Sequence, residues 1–512
     1  MLLKHFILVA IFLSLFYSCH ERVGNPNRDL TVNSYELLDS ADFRLDIDEI
    51  RRHIIRLGRN DGKLFAADKQ VYKYYKQQKD FIWISRLGVN DSGVDTLLSF
   101  LHRADSLGIS KSFFRLKQIK ADLRAVRSLA FDKEHDINKV YARLEYNLTK
   151  AYWRYACGMN FGFINPNAFF NSLHVKDSDS IGVSYYQQAD LKIYRPDSAF
   201  YAKSLESVTH NSVGRFLSSV QPSGKLYSLL IAKLNSGNLT HRMRKKLICN
   251  IERCRWRYKQ SAGKPIEAED TYVLVNIPSC SLRAVDNDKV LTMKVGCGTV
   301  DNPTPLLSSY IYKMDINPQW IVPKSIAKKI VYSTSYLSRM NMFVFDKEKG
   351  KLPVYAISYA KIMSGEQYLI QPGGPANSLG RIIFRFLNNF SVYLHDTSSP
   401  WIFKRQVRTV SHGCVRVEKP YELALFLLGN KATSELKDKL DYSVHTDPSP
   451  KDSIKRAKID HKRLINTVKV VPQVPVYIAY FTLYYDEEDA IREFDDVYAF
   501  DEAMARILCP SL

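Results

Sequence analysis

Apolar side chains in the first half of the chain recur at helical spacing. Val94, Leu97, Leu98, Leu101, Ala104 and Leu107 share one face, and Gly108 ends the run. Ile137, Val140, Tyr141, Leu144, Leu148, Ala151, Tyr152 and Tyr155 form a longer stripe that Gly158 is expected to close. These are packing faces, and they predict a mainly helical region from about 46 to 262. From Thr271 the period shortens to two. Tyr272 to Ile277, Ser281 to Val285 and Lys289 to Val295 predict strands, the last two turned by Asp286-Asn287-Asp288. Arg381 to Phe386 and Ser391 to His395 predict a further pair joined at Asn388-Asn389. Pro420 opens a short helix that Gly429 closes, and Val474 to Tyr485 predicts another strand. The fold class is α+β, helical first and mostly β afterwards.

The N-terminus departs from both patterns. Lys4 precedes an apolar run from Phe6 to Tyr17, too short to span a bilayer. Ser18-Cys19 ends it, and a polar stretch follows. This resembles a lipoprotein signal with Cys19 as the lipidated residue, although bulky Phe16 and Tyr17 depart from the usual Leu-Ala-Gly-Cys. Ordinary cleavage or a retained short anchor is the alternative. The expectation is a signal peptide over 1–19, a tether over 20–45, and a lipid anchor in a bacterial membrane on the periplasmic side of the envelope.

The 512 residues allow two or three domains, and 46% apolar content is ample for large cores. A formal charge of +20 raises nucleic acid as a partner, but no nucleic-acid motif appears. Lys and Arg are scattered, densest from Arg242 to Arg257. Positive charge also suits a carboxylate-rich polymer, or simply a solvated surface. Apart from Cys19 and Cys414 there remain Cys157, Cys249, Cys254, Cys280, Cys297 and Cys509. Their spacing is irregular, so most are expected to be buried thiols, with Cys280–Cys297 a pairing open across a sheet. Cys249 and Cys254 lack nearby paired ligands for zinc.

The chemistry concentrates in Ser411-His412-Gly413-Cys414-Val415-Arg416, read with His395. A cysteine with an imidazole is the minimum for thiolate acyl transfer, because the free thiol is mostly protonated at neutral pH. His395 shares a strand face with Tyr393. His412 is a rival base and otherwise a loop residue. Gly413 permits close approach, and Arg416 offers a planar fork to a carboxylate or an internal acid. Backbone N–H groups of Cys414 and Gly413 are candidate oxyanion donors, and Ser411 can hydrogen-bond within the loop. Asp396 is a candidate third member of a triad.

A histidine, fifteen intervening residues and Ser-His-Gly-Cys-Val-Arg closely resemble the signature of the L,D-transpeptidase (YkuD-type) catalytic domain. Thr304-Pro305-Leu306-Leu307-Ser308-Ser309, Asn317-Pro318-Gln319-Trp320 and Asn377-Ser378-Leu379-Gly380-Arg381 resemble the large periplasmic YcbB-like subfamily. The resemblance implies a helical scaffold over 46–265 and a catalytic domain over 266–445 with a capping insertion at about 316–370. It leaves 446–512 as an extension returning to the catalytic domain. Little room remains between Leu234 and Arg242 for the peptidoglycan-binding module that such proteins usually carry.

The implied activity is 3→3 cross-linking of peptidoglycan stem peptides through a thioester on Cys414, with His395 as base and acid. The family more often uses a backbone carbonyl as the third member of the triad than a side chain such as that of Asp396. No metal or organic cofactor is implied, and carbapenems typically acylate the family's cysteine, so an adduct at Cys414 is expected. Arg416, Tyr393, Trp320, Asn377 and Gly380 are candidates for shaping the substrate cleft. An L,D-carboxypeptidase or cross-link hydrolase using the same residues, or a noncatalytic wall-binding scaffold, is the alternative. A papain-like protease would normally have its cysteine far upstream of its histidine, the reverse of the order here.

Overall fold

The computed structural model describes residues 44–510 apart from 78, 86–87, 132–135, 180–181, 186, 449 and 451. The expected signal peptide with Cys19, and nearly all of the expected tether, lie outside the described residues. Two compact units emerge. The first is the chain up to Phe163 with Pro196–Gln221; the second is Ile164–Arg195 with the chain from Pro222 onward.

The first unit is helical. Helices α1 (Ile47–Asn60), α2 (Ala66–Lys76), α3 (Asp91–His102) and α4 (Leu116–Arg127) accompany the long α5 (Ile137–Phe161). Asp46, Asn90 and Asp136 cap α1, α3 and α5 by accepting first-turn N–H groups. The apolar stripe near residue 100 divides into α3 and a 3₁₀ turn, Ala104–Leu107, ended by Gly108 at φ 73°. Helix α5 overruns its expected end. A Cβ at Gly158 would lie 2.2 Å from the Phe163 ring, so this glycine admits an aromatic ring, and Gly162 caps the helix instead. Charged residues are buried along α5. The Glu145 carboxylate accepts the N–H groups of Ile82, Trp83 and Ile84 and the Tyr75 hydroxyl. Arg154 pairs with Asp68, and Lys150 with Asp61.

The second unit is built on strands. The strands that position the site begin, in chain order, with β1 (Thr271–Asn276), β2 (Ser281–Asp286), β3 (Lys289–Gly298) and β4 (Leu306–Ile316). An inserted sheet follows, formed by β5 (Trp320–Ile321), β6 (Phe343–Asp346), β7 (Gly350–Leu352) and β8 (Gln367–Gln371). Then come β9 (Ile382–Phe386), β10 (Leu394–His395), β11 (Thr409–Ser411), β12 (Val415–Val417) and β13 (Thr467–Ala479). Eight strands pair in the order β9-β10-β12-β3-β2-β1-β13-β4, and β4 pairs with β9, so the sheet closes on itself. Closure leaves no exposed edge in that ring. The insertion has its own core of Val322, Ala327, Leu337, Met342, Ile362 and Leu369.

Three expectations change here. The Ser391–His395 strand shrinks to β10, because Asn388 Oδ1 accepts the N–H groups of Phe390 and Val392 and folds the preceding residues into a loop. The last strand starts at Thr467 and breaks after Ala479, where the Asn276 side chain pairs with both backbone groups of Phe481. Part of the Arg242 to Arg257 cluster turns inward, while Arg242 stays exposed. Lys246, Arg253 and Arg255 are buried and pair with Glu493, Asp501 and Glu252. No helix among the described residues is long and apolar enough to cross a membrane.

Candidate active site

Strands β10 and β12 run parallel, with Leu394 opposite Val415 and His395 opposite Arg416. The Val415 N–H donates to the Tyr393 carbonyl at 3.1 Å, which carries the alignment back to Tyr393 and Cys414. Alternation along each strand then puts Tyr393, His395, Cys414 and Arg416 on one face. Leu394, Val415 and Val417, all fully buried, take the other face. Arg385 of β9 lies over the Tyr393 ring at 4.9 Å while its Nε donates to Asp315 at 2.7 Å. The Tyr393 and His395 rings meet edge to face at 5.8 Å.

The hexapeptide loop is held from within and from two other segments. Gly413 has φ +111°, and an added Cβ would meet only ordinary contacts, so the dihedral itself calls for glycine. Ser411 Oγ accepts the Gly413 N–H at 3.1 Å and donates to the Cys414 carbonyl at 2.5 Å. Thr304 Oγ1 donates to the Gly413 carbonyl at 2.9 Å, and the Tyr498 hydroxyl accepts the Thr304 N–H at 3.1 Å. One expected oxyanion donor is therefore engaged already. The Gly413 N–H belongs to Ser411, whereas the Cys414 N–H has no partner among the described residues.

The electrostatics keep the thiol and imidazole neutral at rest. Burial pushes Cys414 up to about 11, against the pull of the Tyr393 backbone, Arg385 and Arg416. By surface area Cys414 is only half-buried, so the sulfur is enclosed by protein while the residue stays reachable. Burial, then the Arg416 charge, holds His395 down at about 4, against the carbonyls of Asp396 and Leu379. His395 Nδ1 lies 2.5 Å from the Asp396 carbonyl. A carbonyl only accepts, so Nδ1 carries the proton and Nε2 is the basic nitrogen. The Asp396 carboxylate faces elsewhere, accepting the N–H groups of Arg381 and Thr397. No hydrogen bond joins the Cys414 thiol to His395 or His412; its sulfur lies 3.9 Å from the Ser391 carbonyl. Catalytic hydrogen bonds of this kind commonly tighten only around substrate. Arg416 Nε is buried without a hydrogen-bond partner, and no described acid pairs with this guanidinium.

Residues 270–452 match the family model of the L,D-transpeptidase catalytic domain, and residues 69–234 match that of the Scaffold domain. The chain thus carries an L,D-transpeptidase catalytic domain together with a Scaffold domain, a YcbB-like architecture. A Haemophilus influenzae protein described as "Putative L,D-transpeptidase" is 27% identical over 263 residues, 49% of this chain and 51% of that protein. The chain thus spans about half the length of that relative. A solved structure of "the Ldtfm-avibactam carbamoyl enzyme" is 12% identical, covering 51% of this chain and 72% of its own, with a TM-score of 0.19. That likeness is too slight to carry an argument.

Within this L,D-transpeptidase domain the remaining candidates separate. His412 is exposed, and it is held down by burial, Lys329 and Arg416. Lys329 lies on the insertion helix Lys324–Ile330, so the insertion reaches the neighbourhood of the hexapeptide. Trp320 packs against the insertion's own core. Asn377 is buried, with Nδ2 donating to the carbonyls of Pro318, Gln371 and Pro372 and Oδ1 accepting from Leu379. Gly380 has φ +65°, and a Cβ there would lie 2.3 Å from the Asp396 carboxyl. These last three build walls, and the Asn377 amide is fully committed to backbone groups. Sequence reasoning missed Thr304 as a brace, although it stands in a quoted family-like run. It had no signal for Tyr498, which lies far along the chain from Gly298, whose carbonyl it also bonds at 2.7 Å. No cluster of His, Cys, Asp and Glu among the described residues could hold a metal ion.

Proposed function

We propose that this chain is a peptidoglycan L,D-transpeptidase that forms 3→3 cross-links through a thioester on Cys414. The observation that carries the reading is the single strand face bearing Cys414, His395 and the acid-free guanidinium of Arg416. A stem peptide presents a carboxylate to Arg416. Burial and then the Arg416 charge depress His395; pairing cancels the second of these, so binding itself raises the basicity of the imidazole. His395 Nε2 then takes the Cys414 proton as sulfur attacks the carbonyl of the third stem residue. The Cys414 N–H receives the developing oxyanion. His395 returns the proton to the departing D-Ala nitrogen, leaving the thioester. An acceptor amine attacks that thioester, gives its proton to His395, and expels the thiol to restore Cys414.

The insertion near His412 favours transfer over hydrolysis, since cover over the thioester keeps water out until the amine arrives. The proposal includes acylation of Cys414 by carbapenems, and export with a lipid on Cys19. Incubation of the protein with disaccharide-tetrapeptide, followed by mass spectrometry, tests the activity. Cross-linked dimer from wild type and none from Cys414→Ala is expected; release of D-Ala without dimer would replace transfer by carboxypeptidase activity. Incorporation of a fatty-acid label into the exported wild type but not into Cys19→Ser tests the anchor.

A further inference from the structure

Cys280 and Cys297 meet beside the strand that leads into the hexapeptide. Cys280 closes the turn between β1 and β2, its N–H donating to the Ile277 carbonyl at 3.0 Å. Its φ is 46°, a left-handed conformation that residues with a Cβ adopt infrequently. Its carbonyl accepts the Val295 N–H at 2.9 Å, which continues the β2–β3 ladder one step past Ser281 and Lys294. Cys297 stands two residues beyond Val295, diagonally across the ladder. Both side chains are buried, and the ladder register puts them on the same face of the sheet, so each thiol bears on the other's ionisation. Neither is disulfide-bonded in this structure.

Arg408 clasps the pair. Its Nη2 donates to the carbonyls of Ser279 and Cys280 at 3.1 and 3.2 Å, and its own carbonyl accepts the Cys297 N–H at 2.9 Å. Thr409 of β11 is in register with Cys297, and the next pairing of the same two strands is Ser411 with Gly298. A bond between the two sulfurs would therefore fasten the β1–β2 turn to the segment of β3 on which the hexapeptide's lead-in strand is laid.

We propose that Cys280 and Cys297 are a disulfide-forming pair that locks this corner of the second unit. The Cys280 thiolate attacks a disulfide supplied by a small-molecule or protein thiol oxidant, and one thiol leaves. Cys297 then displaces the second thiol, so two electrons and two protons pass from the pair to the oxidant. The neighbouring Cys297 thiol and the Arg408 charge favour Cys280 as the first attacker, since both hold its thiol below the ordinary range. This inference needs neither a peptide substrate nor Cys414, so it stands or falls apart from the proposed transpeptidation.

The native full chain would be treated with excess oxidised glutathione, trapped in acid, unfolded, alkylated and digested. A peptide pair linking Cys280 to Cys297, lost on reduction and absent from Cys280→Ser, is expected. The oxidised wild type should also melt roughly 5 °C above its reduced form, with no such difference in Cys280→Ser or Cys297→Ser. Complete alkylation of both cysteines in the oxidised wild type, or a link from either one to a different cysteine, would overturn the proposal.

Discussion

The two units treat buried polar groups in opposite ways. In the helical unit, each buried side-chain polar atom among the described residues has a partner. Glu145 has four donors on one carboxylate, and Arg154 and Lys150 each meet an aspartate. In the second unit, the nitrogens left over include Arg416 Nε beside the candidate nucleophile and Arg408 Nε beside the thiol pair. A buried guanidinium nitrogen without a partner costs free energy unless something supplies the acceptor. A completed network holds a fold together; an incomplete one at a reachable cysteine marks where an anion is wanted.

This contrast can be broken by substitution. The largest effect is expected from Cys414→Ala, which should lower cross-link formation roughly 10⁴-fold with an unchanged melt. Loss of folding in that variant, or retained dimer by mass spectrometry, would undo the assignment. Next, Glu145→Ala leaves four buried donors facing a void, and chemical denaturation should register a loss of about 4 kcal/mol. Its turnover per folded molecule should hold at low temperature. Arg416→Met should do the reverse. Turnover falls about 100-fold, while stability stays within about 1 kcal/mol of wild type or rises, because the replaced charge has no internal partner. A large loss of stability in Arg416→Met would show that the guanidinium braces the loop.

The smallest effect concerns pH. His395 titrates at about 4 when folded against an ordinary value of 6.5. Between those values the unfolded chain binds a proton that the folded chain refuses. Stability therefore falls as pH drops from 6.5 toward 4, by about 3 kcal/mol from this residue. Denaturation curves of His395→Gln should be flatter over that window, and a slope equal to wild type would contradict the burial argument.

Much of this was legible in the residues. Periodicity separated helices from strands, and alternation along Ser391 to His395 put His395 with Tyr393. The hexapeptide and its spacing from His395 carried the resemblance to the L,D-transpeptidase catalytic domain that the family model matches over 270–452. What stayed hidden depends on contacts between distant segments. Gly158 reads as a helix stop because nothing local announces the Phe163 ring packed on it. The Arg242 to Arg257 cluster reads as surface because its acids, Glu493 and Asp501, come hundreds of positions later. Asn377 reads as a cleft residue although its amide is spent on four backbone groups of its own neighbourhood. Local pattern fixes which face a residue takes; partners far along the chain decide whether its polar atoms remain available.

The neutral resting thiol of Cys414 bears on which reagents it meets safely. Peroxide and small uncharged alkylating agents react with thiolates, and a sulfur held protonated at about 11 offers them little. Under the proposed mechanism a β-lactam, which carries its own carboxylate, would neutralise Arg416 on arrival and so bring with it the condition for its own attack. Slow labelling by iodoacetamide alongside fast acylation by carboxylated lactams is the chemical selectivity that the proposed mechanism would give.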